Sequence, residues 1–295
     1  DSSIKVYLTL HEYMAICKHN GQMVKTGEGM KLCSSESFDE CRGCFPEHTA
    51  EDFWLRKHTF KSTFDLADGF ISPSKFLRQR YINWGINENE IVVIENGQSN
   101  LPPLEPRTIQ EDETRNVFGF FGQVNPYKGI DVLLEALRSM TKEERKRVLV
   151  EIHGANIEAQ SGEFQTKIKK LAKKLIAEGC LRWVGPYRPE EQRSKLQEVD
   201  WVVVPSIWWE NSPMVIQEAF TAGRPLIVSN IGGMAEKVDD GVNGLHFSAR
   251  NPQSLAKVML SAISPNTWQA LLNGIVAPLT YSDSAGLHLT FFNKA

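Results

Sequence analysis

Two glutamates, Glu210 and Glu218, stand on either side of a corner in the stretch Trp201-Val-Val-Val-Pro-Ser-Ile-Trp-Trp-Glu210-Asn-Ser-Pro-Met-Val-Ile-Gln-Glu218-Ala-Phe-Thr-Ala-Gly223. The apolar run reads as a strand that ends at Pro205-Ser206. Ser212 suits the N-cap of a following helix, Pro213 its first position and Gly223 its left-handed stop. One carboxylate then lies on a loop and the other near the positive end of a short helix. Helix starts at the C-terminal edge of a parallel sheet are where phosphates and sugars bind in open α/β folds. The plainer alternative is one surface glutamate and one satisfied helix glutamate.

A second candidate is Lys128, in Phe121-Gly122-Gln-Val-Asn-Pro-Tyr-Lys128-Gly129. Gly122 lets a ligand approach the backbone, and a lysine just before a helix is a point charge well placed for a diphosphate. A solvated lysine at a turn is the alternative, and the run is not a Walker A motif. Other strand ends carry His153-Gly154-Ala155, Gly185-Pro186-Tyr187 and Asn230-Ile231-Gly232-Gly233. Each is a weak signal alone. Their convergence on one sheet edge would make one site.

The elements that must hold these residues alternate regularly in the second half. Strands are expected at Val117–Phe121, Val148–His153, Leu181–Val184, Trp201–Val204, Pro225–Ser229 and Gly244–Phe247. Helices are expected at Ile130–Met140, Phe164–Glu178, Pro189–Val199, Pro213–Ala222, Met234–Val238 and Pro252–Ile263. Near-continuous apolar strands and repeated β–α units predict a doubly wound parallel sheet, an α/β fold. The first hundred residues supply fewer strands, at Ile4–Leu10, Gly69–Ser72 and Ile91–Glu95, with helices at Asp52–Ala67 and Ser74–Trp84. The expected domains are 1–100, a proline-rich linker 101–115, a second domain 116–280 and a patternless tail 281–295.

An irregular stretch, Glu12–His48, holds Cys17, Cys33, Cys41 and Cys44. Four thiols in one loop-rich segment are a candidate tetrahedral structural zinc site, although the spacing is not that of a zinc ribbon. Reduced or redox-labile thiols are the alternative. The chain has 295 residues, 41% hydrophobic and 23% charged, with net charge −3. Such a balance gives a nucleic-acid partner no electrostatic footprint, while a local patch leaves room for peripheral membrane contact. No apolar run approaches the roughly 20 residues of a membrane span, and the opening reads as a strand rather than a leader, so a reducing, cytoplasmic setting is the expectation.

Taken in order, Phe-Gly-x5-Lys-Gly, Pro-Ser-x3-Glu-x7-Glu-Ala, Ala-Gly-x-Pro, Gly-Gly-x2-Glu and Asp240-Gly-Val-Asn-Gly244 resemble the GT-B glycosyltransferases of family 4, the retaining glycosyltransferases group 1. Thr9-Leu-His11, Ile71-Ser-Pro-Ser74 and Val93-Ile-Glu-Asn96-Gly97 resemble the later part of that family's acceptor-side domain. The resemblance implies two Rossmann-like domains, the first incomplete and missing its N-terminal portion, and transfer of a sugar from a nucleotide-sugar donor to a glycan or lipid-linked acceptor. It implies that Lys128 neutralises the donor diphosphate, that Glu210 and His11 face the donor sugar, and that Glu218 accepts hydrogen bonds from the ribose hydroxyls. Gln123 stands where many members have arginine. Asn211, Ser212, Pro213, Met214 and Val215 would bind sugar or phosphate, with His153, Gly154, Tyr187, Gly232 and Gly233 completing the donor side. No catalytic cofactor or metal is implied. Trp208 and Trp209 are rim packing or a sugar-stacking surface. The competing readings are a nucleotide-sugar binding fragment without turnover and a GT-B epimerase or phosphorylase.

Overall fold

A computed structural model of the chain describes residues 4–110 and 113–293. Two compact units result: one holds the described residues up to Gly97, Trp208–Ser212 and those from Leu279 on; the other holds Gln98–Ile207 and Pro213–Pro278. Glu111, Asp112 and the last two residues of the expected tail lie outside the described residues.

The first unit runs through β1 (Tyr7–Thr9), α1 (Phe38–Cys44), α2 (Ala50–Phe64), β2 (Gly69–Ser72), α3 (Lys75–Trp84) and β3 (Ile91–Val93). Its three strands form a parallel sheet in the order β1-β2-β3. Phe70, Leu77, Tyr81, Trp84 and Ile91 bury their side chains against the loop residues Leu10, Tyr13 and Ile16. Ser74 caps α3 by accepting from Leu77 N–H, and Gly85, at φ 114°, ends it, so both stops are written in the sequence.

The second unit runs through β4 (Val117–Gln123), α4 (Ile130–Ser139), α5 (Lys142–Arg145), β5 (Leu149–Ala155), α6 (Gly162–Ala177), β6 (Leu181–Trp183), α7 (Gln192–Gln197), β7 (Trp201–Val204), α8 (Met214–Thr221), β8 (Leu226–Ser229), α9 (Gly232–Lys237), β9 (Gly244–Phe247), α10 (Pro252–Ala262) and α11 (Pro265–Asn273). Its six parallel strands take the order β6-β5-β4-β7-β8-β9. The chain therefore builds outward from β4 to β6 and then returns to lay β7 on the other side of β4. Such a reversal opens a crevice at the C-terminal ends of the two central strands. All four residues of β7 and of β8 are buried, as expected for strands covered on both faces.

The described part of the proline-rich segment 101–115 is not a free tether. Arg224, fully buried, donates to the carbonyls of Leu104 and Glu105 in that segment and to those of Leu196, Ala222 and Gly223. Arg107 and Arg115 pair with buried Asp200 at 2.9 and 3.2 Å. The tail, which shows no pattern in the sequence, forms α12 (Tyr281–Phe292) in the first unit. Thr280 and Asp283 make a capping box at its start, Ser284 Oγ donates to Glu95 O, and Phe291 and Phe292 pack on Tyr7. No helix of the described residues is long and apolar enough to cross a membrane.

The candidate zinc ligands Cys17, Cys33, Cys41 and Cys44 lie within electrostatic reach of one another in the first unit. All five cysteines are free, and among the described residues no group of three or more His, Cys, Asp or Glu side chains is gathered to hold a metal ion. Cys33 Sγ donates to Ser35 O at 3.2 Å, and burial pushes the Cys41 thiol up to about 11, so Cys41 is held as a neutral thiol.

Candidate active site

In the second unit, β4 ends in Gly122 and Gln123, β5 in Ala155, and the loop after β6 carries Pro186 and Tyr187. With Pro189, Gln192 and Glu218 these line one pocket of about 330 Å³. Gly122 has φ 136° and open space where a side chain would begin. Its backbone is therefore bare toward the pocket, which lets a bulky ligand come close. Glu218 lies on α8 and takes a hydrogen bond from Gln192 Nε2 at 2.6 Å. Burial raises its carboxyl pKa above the usual value, against the Gln192 bond, which lowers it. Tyr187 is likewise raised, by burial and then by Glu218. A second, smaller hollow of about 160 Å³ shares Pro189, Gln192 and Glu218 and is also lined by Gln98 and Ser99.

Lys128 ends a single 3-10 turn, Pro126–Lys128, that leads directly into α4. Asn125 Oδ1 accepts from the N–H groups of both Tyr127 and Lys128, which sets the turn. Gly129 follows at φ 68°, and a Cβ there would stand 1.9 Å from Pro205 O at the end of β7. The glycine therefore brings the two loops of the sheet crevice into backbone contact. Gly129→Ala is expected to cost about 3 kcal/mol, from left-handed strain plus the clash. A urea unfolding midpoint indistinguishable from the native one would show that the loops can part freely.

His153 does not reach the pocket. Its ring is fully buried, stacked on Phe121 with centroids 4.5 Å apart, and its Nε2 meets Glu151 Oε2 at 3.0 Å. Arg182 completes that pair on Glu151 Oε1 at 2.5 Å. His153 thus packs against Phe121 and edge-on to Tyr187. Gly154 pairs with Gly122 across the two strands, and a Cβ on it would press within 2.6 Å of Val124. Gly232 and Gly233 form the first turn of α9, after β8.

The corner between β7 and α8 departs from the sequence reading. The helix begins at Met214 with Pro213, extended at ψ 119°, as its N-cap, so Ser212 does not cap it. Proline offers no side-chain acceptor there. Val215 is half-buried and Met214 exposed in that first turn.

In the first unit, Trp208–Ser212 packs beside the end of β1. Asn211 Nδ2 donates to His11 O at 2.5 Å, and Trp208 Nε1 donates to Glu210 Oε1 at 2.8 Å. Glu210 is only 6% exposed, whereas His11 is exposed. Asn211 Oδ1 and Ser212 Oγ are buried with no hydrogen-bond partner among the described residues. Trp209 is packing: it donates to Cys33 O at 2.9 Å and lies against Phe76 and Arg80.

The structure therefore gathers His11, Glu210 and Asn211 in one unit and Gly122, Gln123, Tyr187 and Glu218 in the other. Gln192 is the residue that the sequence reading misses. Its only signal is its reach to Glu218, and no local spacing encodes that.

A family model described as glycosyl transferases group 1 matches residues 103–270. The chain belongs to that family. Among relatives of this family member, lipopolysaccharide 1,2-N-acetylglucosaminetransferase of Salmonella typhimurium is 30% identical over 60% of this chain and 48% of its own. D-inositol 3-phosphate glycosyltransferase of Corynebacterium jeikeium is 31% identical over 48% of this chain and 34% of its own. The chain thus spans half or less of the length of these two relatives. Among solved structures, Anabaena HepE in complex with UDP and glucose superposes with a TM-score of 0.71 at 18% identity, covering 99% of this chain and 72% of that one. Sucrose-phosphate synthase of Thermosynechococcus elongatus gives 0.67 at 19% identity, over 84% and 62%. The fold is of GT-B type, with six parallel strands in the second unit and three in the first.

Proposed function

We propose that the protein is a retaining glycosyltransferase that moves a sugar from a nucleotide-sugar to a glycan or lipid-linked acceptor in a reducing, cytoplasmic setting. The observation that carries this reading is the pocket in which a partly buried carboxylate, Glu218, faces the bare backbone of Gly122. A carboxylate there accepts from the two ribose hydroxyls, and the open strand end admits the diphosphate. In the reaction the bond from the anomeric carbon to the diphosphate oxygen breaks. The acceptor hydroxyl oxygen bonds to that carbon on the same face, and its proton passes to the departing diphosphate. Lys128 stabilises the charge that develops on the diphosphate. Glu210, its Oε1 held by Trp208, stabilises the oxocarbenium-like sugar. The partnerless atoms of Asn211 and Ser212 support a sugar at that corner.

Glu218→Gln separates binding from folding. The folded-state pKa of Glu218 is raised, so its contribution to stability is complete below the ordinary carboxylate pKa and is lost as pH rises through the folded value. Glutamine removes that loss. The variant is expected to melt no lower than the native protein at neutral pH, with its relative stability growing as pH rises. Its affinity for whichever of UDP, GDP or ADP binds the native protein falls about ten- to hundredfold, the range of one or two hydrogen bonds to a charged acceptor. Calorimetry checks it, and affinities within twofold of each other remove Glu218 from the donor site. Release of free or transferred sugar from the matching nucleotide-sugar separates a transferase from a binding module.

A further inference from the structure

The outer side of α6 carries a basic, partly apolar face that no step of sugar transfer uses. Lysines stand at 167, 169, 170, 173 and 174, in a chain whose net charge is −3. Lys167 pairs with Asp131 at 2.7 Å and Lys174 with Glu178 at 3.8 Å. Lys169 reaches only Gln165, at 3.3 Å, and among the described residues no carboxylate pairs with Lys169, Lys170 or Lys173. Beside them runs a groove of about 450 Å³ whose floor is Ile157, Ile168, Ala172, Ile176 and Trp183, with Lys169, Lys173 and one acid, Glu158, on its rim. Ile176 is 46% exposed, and Val184 next to Trp183 is 37% exposed.

We propose that this face of α6 and β6 docks on the surface of an anionic phospholipid bilayer. Lys169, Lys170 and Lys173 meet lipid phosphates, and Ile176 and Trp183 enter the boundary between headgroups and acyl chains. The charge complementarity carries the choice of partner. Lysine is a compact charge on a flexible stem, suited to a diffuse anionic layer, and this face holds no unpaired arginine fork that would single out one ordered acidic group. A tryptophan beside the basic row fits the same interfacial depth. The lysine stems lie along the apolar groove while their ammonium groups stay in the headgroup layer. The inference does not rest on the transferase reading.

Sedimentation of the full chain with vesicles tests it. The protein is expected to pellet with phosphatidylcholine vesicles containing about a third phosphatidylglycerol, to stay in solution with phosphatidylcholine alone, and to be released by salt. The triple variant Lys169→Glu, Lys170→Glu, Lys173→Glu lowers the partition coefficient about a hundredfold, near fivefold for each lysine. Ile176→Ser, which leaves the charge untouched, also lowers it. These positions are on the exposed side of the helix, and melting curves matching the native one exclude unfolding as the cause. Failure to pellet with the anionic vesicles, equal pelleting of native and triple variant, or capture by a poly-glutamate resin without vesicle binding each overturns the proposal.

Discussion

Replacing Lys128 by alanine is expected to weaken nucleoside diphosphate binding about ten- to hundredfold and to slow sugar transfer further, about a hundred- to a thousandfold. The ammonium group sits at the last position of a turn whose backbone is tied to Asn125, directly ahead of α4. A diphosphate bound there gains a point charge and the positive end of a ten-residue helix together. Charge on the diphosphate grows as the glycosidic bond breaks, so the loss in rate exceeds the loss in affinity. Gln123, exposed at the end of β4, brings no second cation. The native affinity should therefore fall with added salt, while the variant's affinity responds less. Calorimetry in low and high salt reads both effects. Equal affinities and equal salt slopes would take Lys128 out of the site.

Arg224→Met is expected to be the more damaging change to the fold, by about 4 kcal/mol, which lowers the melting temperature roughly 8–16 °C. The guanidinium donates to five carbonyl oxygens, and burial lowers its pKa to about 10, so it remains charged at neutral pH. Methionine fills much of the volume but leaves those oxygens without a donor, and an orphaned buried acceptor costs more than a made bond returns. The carbonyls belong to the segment before β4, the end of α7 and the end of α8. Limited proteolysis should therefore cut first near Leu104 in the variant. A melting temperature within two degrees of the native one would mean that water takes over the arginine's role.

The alternation of the second unit was legible because strands covered on both faces are short runs of apolar residues. Trp201-Val-Val-Val and Leu226-Ile-Val-Ser are such runs, and both are wholly buried. Stops written in glycine and proline fell within a residue or two of the observed ends. Helix α12 was missed because its apolar residues do not form one buried stripe: Leu287 and Leu289 are exposed, and Ser284 is its only fully buried residue. The Thr280–Asp283 capping box was the available signal. Ser212 was placed one residue wrongly because a proline with extended backbone can itself be the N-cap, and the sequence does not disclose ψ. The segment 101–115 looked loose because its partners, Asp200 and Arg224, lie far along the chain. Glu210 and Glu218 were visible by type and spacing, whereas the Gln192 bond to Glu218 arises only when α7 and α8 meet.

The return of β7 to the side of β4 has a kinetic consequence. Phe118 and Trp201 are strand neighbours, yet α4, α5, β5, α6, β6 and α7 come between them in the chain. During synthesis β4 can recruit β5 and β6 early, but its other edge stays unpaired until the ribosome has released the whole of β7. Nascent chains should therefore hold a half-sheet with one open, apolar flank for several seconds at ordinary elongation rates of roughly 5–20 residues per second. That flank is where a chaperone would be needed most, and where early termination would most readily turn a soluble intermediate into an aggregate.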